Sequence, residues 1–189
     1  MTRKRPHRPA LACIELTSIA RGFKTCDEMV KKAQVRVLEA GTVCPGKYVI
    51  VIGGEVQDVH ESFQRGLEVA STGAVDQLFL PQAHDQLIPA IGATASVGEV
   101  DAAGVVETFA VASAILAADA ACKRAPVKLI ELRLARGLGG KAFFTMTGTL
   151  ADIQASVQAA EDVVRAESGL LFRTEVIARP HPEFQRWLV

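Results

Sequence analysis

Apolar positions along this chain recur at two spacings, and the order of those spacings is written twice. An apolar run, Ala10–Leu16, reads as a strand and is followed by Ile19, Phe23, Cys26, Met29, Val30 and Ala33 at helical spacing. A β-type segment (Val35–Ala40), a glycine-containing loop and a second β run (Tyr48–Ile52) come next. Val56, Val59, Phe63 and Ala70 then predict a second helix, and a last strand ends near Leu80. The same succession returns further on. Gly104–Thr108 leads into Val111, Ile115, Ala118, Ala121, Cys122 and Ala125 at helical spacing, then Val127–Leu132 and Ala142–Thr147. Leu150, Ile153, Val157 and Val164 mark the last long helix, and the closing strand ends near Ile177.

The two halves also share individual residues. At one constant offset Glu15 matches Glu107, Asp27 matches Asp119, Lys31 matches Lys123, Val35 matches Val127 and Glu39 matches Glu131. Beyond the glycine-rich loops Gly46-Lys47 matches Gly140-Lys141, Gly54 matches Gly148 and Asp58 matches Asp152. A repeat of this kind takes precedence over local signals in assigning a fold. Each half has the order β-α-β-β-α-β, the ferredoxin-like arrangement of an antiparallel sheet with helices on one face. The expected class is therefore α/β of the α+β kind, with two tandem domains at residues 10–95 and 96–189 joined near the small residues Ile91–Ser96. Residues 1–9, with Arg3, Lys4, Arg5 and Arg8, read as a flexible basic tail. Each domain is small, so packing on its twin and on further subunits is expected to contribute to stability. The repeated pairs Glu15/Glu107, Asp27/Asp119 and His84/His181 read as caps, turns or interface contacts.

Charge and composition mostly exclude. Twenty-one basic and 21 acidic residues cancel, which removes the electrostatic motive for nucleic acid or an anionic membrane as partner. No apolar run is long enough to span a bilayer, and the one after the basic start is too short for a secretory signal. Cysteines in such a chain are expected to be reduced thiols or metal ligands.

The stretch Gly41-Thr-Val-Cys-Pro-Gly-Lys47 fits most of a phosphate loop. Tyr48 replaces the required Ser or Thr, Pro45 removes an N–H, and a strand follows where a helix N-terminus is needed. The nucleotide reading fails. Cys44-Pro45-Gly46-Lys47 reads instead as a type II turn, with Pro at the second position and Gly at the third. That leaves the thiol of Cys44 unexplained. Cys26 and Cys122 lie on apolar helix stripes, Cys13 lies in a strand, and no CxxC, zinc-ligand spacing or HExxH occurs. No nucleophile or acid–base set can be built, so no enzyme is expected.

The segments ALACIELTSIARG (Ala10–Gly22), EMVKKAQV (Glu28–Val35), VVETFAVASAILAADAA (Val105–Ala121), GLGGKAFFTMTG (Gly137–Gly148) and VIARPH (Val176–His181) resemble the tandem-domain (BMC) shell proteins of bacterial microcompartments. The resemblance implies a homotrimer that is a pseudo-hexamer, tiled with hexameric shell proteins into a shell lying in the cytoplasm. It also implies a central pore lined by Thr42, Val43, Cys44, Pro45 and Gly46 alternating with Arg136, Gly137, Leu138, Gly139 and Gly140. Shell-edge contacts would fall on Lys31, Lys123 and Arg179, with Gln82 standing at the first-repeat counterpart of Arg179. Three Cys44 thiolates around a threefold axis suit an iron–sulfur cluster, and the matching C-P-G-K loop implies one 4Fe–4S cluster per trimer. Its role would be electron transfer across the shell or cluster delivery, with an encapsulated redox enzyme as a further partner. A plain tile with a metabolite-conducting pore and no metal is the alternative.

Overall fold

The computed structural model describes residues 9–188; the expected tail, apart from Pro9, lies outside the described residues. The first domain runs β1 (Ala10–Leu16), α1 (Ile19–Lys32), β2 (Arg36–Val43), β3 (Lys47–Gly54), α2 (Val56–Ala70) and β4 (Ala74–Leu80). After a short α3 (Leu87–Ile91) the second repeats it with β5 (Ala102–Thr108), α4 (Val111–Arg124), β6 (Lys128–Arg133), β7 (Ala142–Gly148), α5 (Leu150–Glu167) and β8 (Leu171–Ile177), and α6 (Pro182–Gln185) follows. The sheets have the orders β2-β3-β1-β4 and β6-β7-β5-β8, and every neighbouring pair is antiparallel. The expected topology is present in both halves, and Gly54 and Gly148 close strands just before α2 and α5. The short helices α3 and α6 carry too few turns to leave a periodic signal, and periodicity missed them.

Local sequence explains most boundaries. Ser18 caps α1 by accepting from Arg21 N–H at 3.2 Å, and Thr149 caps α5 by accepting from Asp152 N–H at 3.2 Å. Helix α1 passes close to β3 because Gly22 has no side chain: a Cβ there would stand 2.4 Å from the Tyr48 ring. Helix α4 has Ala110 at its N-cap, which offers no side-chain acceptor. Its first N–H groups must be satisfied from elsewhere.

The two sheets are buried differently. In β1, Ala10, Ala12, Ile14 and Leu16 face Met29, Val59 and Phe63 of their own helices. Leu11 and Cys13, on the opposite face, join a cluster with Ile115 and Ala118 of the second domain. The first sheet is thus covered on both faces, by its own helices and by the second domain. Helix α4 is correspondingly buried almost all round, with 10 of its 14 residues buried, against three of 14 in α1. Helix α3 continues the seam, with Leu87 and Ala90 in the shared cluster.

Candidate functional site

The tip of the β2–β3 hairpin carries the singular thiol. Val43 pairs with Lys47, leaving Cys44, Pro45 and Gly46 as the loop. Gly46 N–H donates to Val43 C=O at 3.0 Å, the Cys44–Pro45 peptide is cis, and Gly46 sits at φ +83°. The expected type II turn is therefore corrected: the hydrogen-bonded turn starts at Val43, with Pro45 at its third position, as a cis proline requires. Glycine is still needed at Gly46, because L side chains disfavour positive φ. Cys44 is half-buried, while Thr42, Pro45 and Gly46 are exposed. Val43 is a second correction. Its side chain is 5% exposed and sits in the shared core, because strand alternation turns it inward from Thr42.

Within one chain the second-domain loop lies against this tip. Gly140, at φ +90°, comes so near that a Cβ would stand 3.0 Å from the Cys44 carbonyl oxygen and 3.1 Å from Pro45 Cδ. Arg136 is exposed, ion-paired with Glu39 of β2, and its guanidinium lies over Gly41. Gly137 and Gly139 are exposed and Leu138 is half-buried. The two loops singled out in sequence are adjacent, and Gly140 is the residue that backs onto Cys44. Behind the tip, Lys47 Nζ meets the buried Glu15 carboxylate at 2.7 Å.

The remaining thiols are poor ligands. Burial pushes Cys13 well above its ordinary value, helped by the negative charges of Glu15 and Asp76. Burial likewise pushes Cys122 to about 12, helped by Asp119 and Asp85, and raises Cys26. A thiol held neutral is neither nucleophile nor metal ligand. Among the described residues no group of three or more His, Cys, Asp or Glu side chains gathers to hold a metal. One chain therefore offers one soft donor at a loop tip, which fits a thiolate-held cluster only as a share contributed by several copies.

The expected edge residues are on the surface. Lys31 pairs with Asp27 and Lys123 with Asp119, each at 2.5 Å, and Arg179 is exposed. The repeated acids have distinct jobs that sequence reasoning did not separate. Glu15 is fully buried and its Oε1 accepts from the N–H groups of Val111 and Ala112, capping α4 from the other domain. Asp119 accepts from His84 N–H at 2.8 Å across the same seam. The one available signal was the recurrence of both acids in the two repeats.

Among the described residues no helix is long and apolar enough to cross a membrane. The family model of the BMC domain matches residues 10–83 and again 102–180. The shell protein PduT of Citrobacter freundii is 39% identical over 180 residues, covering 95% of this chain and 97% of that protein. The carboxysome shell protein CcmK1 of Thermosynechococcus vestitus is 34% identical over 85 residues, 44% of this chain and 74% of that one. Among solved structures, a microcompartment protein from Desulfitobacterium hafniense DCB superposes with TM-score 0.88 at 40% identity, covering 95% of this chain and 99% of that one. The fused permuted hexameric shell protein MSM0275 shares the fold, with TM-score 0.63 at 21% identity over 87% of this chain and 88% of that one.

Proposed function

The chain belongs to the BMC-domain family and is a structural shell protein of a bacterial microcompartment, placed in that shell within the cytoplasm; from this premise we propose a trimeric tile with a redox centre at its axis. Three copies present six domains, and the loops 42–46 and 136–140 alternate around the pore. Three Cys44 thiolates, one from each copy, would together hold one 4Fe–4S cluster. Such a cluster supplies reversible one-electron chemistry at a potential set by its surroundings. The chain's own contribution is to present the thiol on a loop braced by Pro45, by the ladder pair Val43–Lys47 and by Gly140 behind it.

The observation that carries this reading is the isolation of Cys44. It is the thiol placed at a hairpin tip beside the second-domain loop, and among the described residues it belongs to no group of three or more His, Cys, Asp or Glu side chains that could hold a metal. A lone donor gains a metal function only through symmetry. Electron transfer across the shell to an encapsulated redox enzyme, or delivery of the cluster, follows as the role, with hexameric shell proteins as edge partners through Lys31, Lys123 and Arg179.

Anaerobic purification of wild type and Cys44→Ser, with iron and acid-labile sulfide counted per trimer and EPR of the reduced sample, tests it. About four irons per trimer, lost in Cys44→Ser, are expected for one cubane. A wild-type trimer without iron after chemical reconstitution refutes the redox centre and leaves a tile whose pore passes a small metabolite.

A further inference from the structure

The lysines that end the two loops are both committed to acids on β1 and β5. Lys47 meets the buried Glu15 carboxylate at 2.7 Å, and Lys141, next to Gly140, meets Glu107 at 3.0 Å. Arg136 behaves differently. It leaves the second-domain loop, reaches across to β2 and pairs with Glu39, with its guanidinium over Gly41. A Cβ on Gly41 would stand 2.6 Å from Arg136 Nη2, so the missing side chain is what admits the guanidinium to this strand. Ala135, just before it, is fully buried at φ +60°. A residue with a Cβ holds that left-handed conformation only where its surroundings fix it, so the point from which Arg136 departs is fixed by the shared core.

The second repeat shows what stands at the place of Gly41. Gly41 lies opposite Val49 in the first ladder, and Arg133 lies opposite Phe143 in the second. Arg133 pairs at 3.7 Å with Glu131, the counterpart of Glu39. Each strand therefore sets an arginine beside the same acid. On β2, which leads to the thiol, that arginine comes from the other domain, on the loop whose Gly140 backs onto the Cys44 carbonyl. The guanidinium lies over a residue three positions before Cys44, and three residues of strand span at most about 10 Å. Its partner carboxylate reaches in from Glu39, five positions before Cys44.

We propose that Arg136 sets the reduction potential of the Cys44 centre, as a positive charge held near the thiol by Gly41 and Glu39 and partly offset by Glu39. This rests on the redox reading of the site and specifies how the chain tunes it. Uptake of one electron from a reduced donor makes a thiolate-held cluster more negative by one charge. A nearby cation therefore favours the reduced form, and a nearby carboxylate opposes it. A unit charge about 10 Å away, at an effective dielectric of ~20, changes the reduced-to-oxidised ratio on the order of ten-fold. For a one-electron couple that is ~59 mV.

Anaerobic titration of the full chain with dithionite, followed by EPR, reads the midpoint potential, with iron counted on the same samples. Arg136→Gln is expected to lower the midpoint by ~59 mV, Glu39→Gln to raise it, and Arg136→Lys to stay near wild type. Gly41→Ala keeps every charge but pushes the guanidinium aside, and is expected to lower the midpoint by less. Arg136 is 61% exposed, so the gap between wild type and Arg136→Gln should narrow as salt rises from ~0.05 to ~0.5 M. Should Arg136→Gln fail to take up iron, Glu39→Gln decides alone. Iron-loaded variants that match wild type, or that shift the same way whichever charge is removed, overturn the assignment and leave the redox centre standing. A wild-type chain without iron after reconstitution overturns both.

Discussion

Replacing Glu15 by Gln tests whether the two domains are held by a buried carboxylate. The side chain is fully buried, its Oε2 lies 2.7 Å from Lys47 Nζ, and its Oε1 takes the N–H groups of Val111 and, at 3.0 Å, Ala112. Gln keeps an acceptor for the N–H pair but turns an NH2 toward the ammonium. Breaking a buried ion pair from one side costs ~3–5 kcal/mol. Lys47 retains 18% exposure and so some hydration, which reduces the expected loss to about 2–3 kcal/mol. Glu15→Ala also strands two N–H groups at the start of α4, at ~1–3 kcal/mol each, for a total of about 4–9 kcal/mol. Urea unfolding followed by circular dichroism measures this. With a slope of ~2 kcal/mol/M, Glu15→Gln should lower the midpoint by about 1–1.5 M. The shift should not depend on protein concentration, because the contact lies within one chain. A shift under about 0.3 M would mean that the carboxylate is dispensable to the seam.

Two further outcomes follow from packing and titration. Gly22→Ala places a methyl against the Cβ and ring of Tyr48 at 2.4–2.6 Å, whereas Gly66→Ala meets the side-chain ends of Ile14 and Met29 at 2.7 Å. The first should cost ~2–3 kcal/mol and the second less, since Met29 can swing aside; comparable thermal unfolding of the two variants would contradict this. Cys122 titrates at about 12 in the native state against an ordinary 9.0. The unfolded chain therefore loses that proton first, so stability should fall as the pH rises above ~9. Cys122→Ala should flatten that fall in urea midpoints taken between pH 8 and 11, and an unchanged slope would refute the assignment.

Much of the candidate site was legible because its signals are local. Cys44-Pro45-Gly46 announces a tight turn, and the failed phosphate loop left the thiol as the residue needing an account. The turn's true start at Val43 was not legible, because the isomer of the Cys44–Pro45 bond is not encoded in the local pattern. Nor was the inward side chain of Val43, since strand alternation shows its phase only against a known core. Glu15 was visible as a repeated acid but not as a cap, because its partners Val111 and Ala112 are nearly a hundred residues away.

The sequence by itself determined the element order, the duplication and the separation of Cys44 from the three cysteines that pack as apolar residues. Period and repetition are properties of neighbouring positions, so they survive without coordinates. Only the tertiary structure decided that equivalent elements lead different lives. α4 and α1 descend from the same pattern, yet one is buried almost all round and the other is open along one side. The difference arises because α4 packs between its own sheet and the first-domain sheet, whereas the buried side of α1 meets its own domain alone.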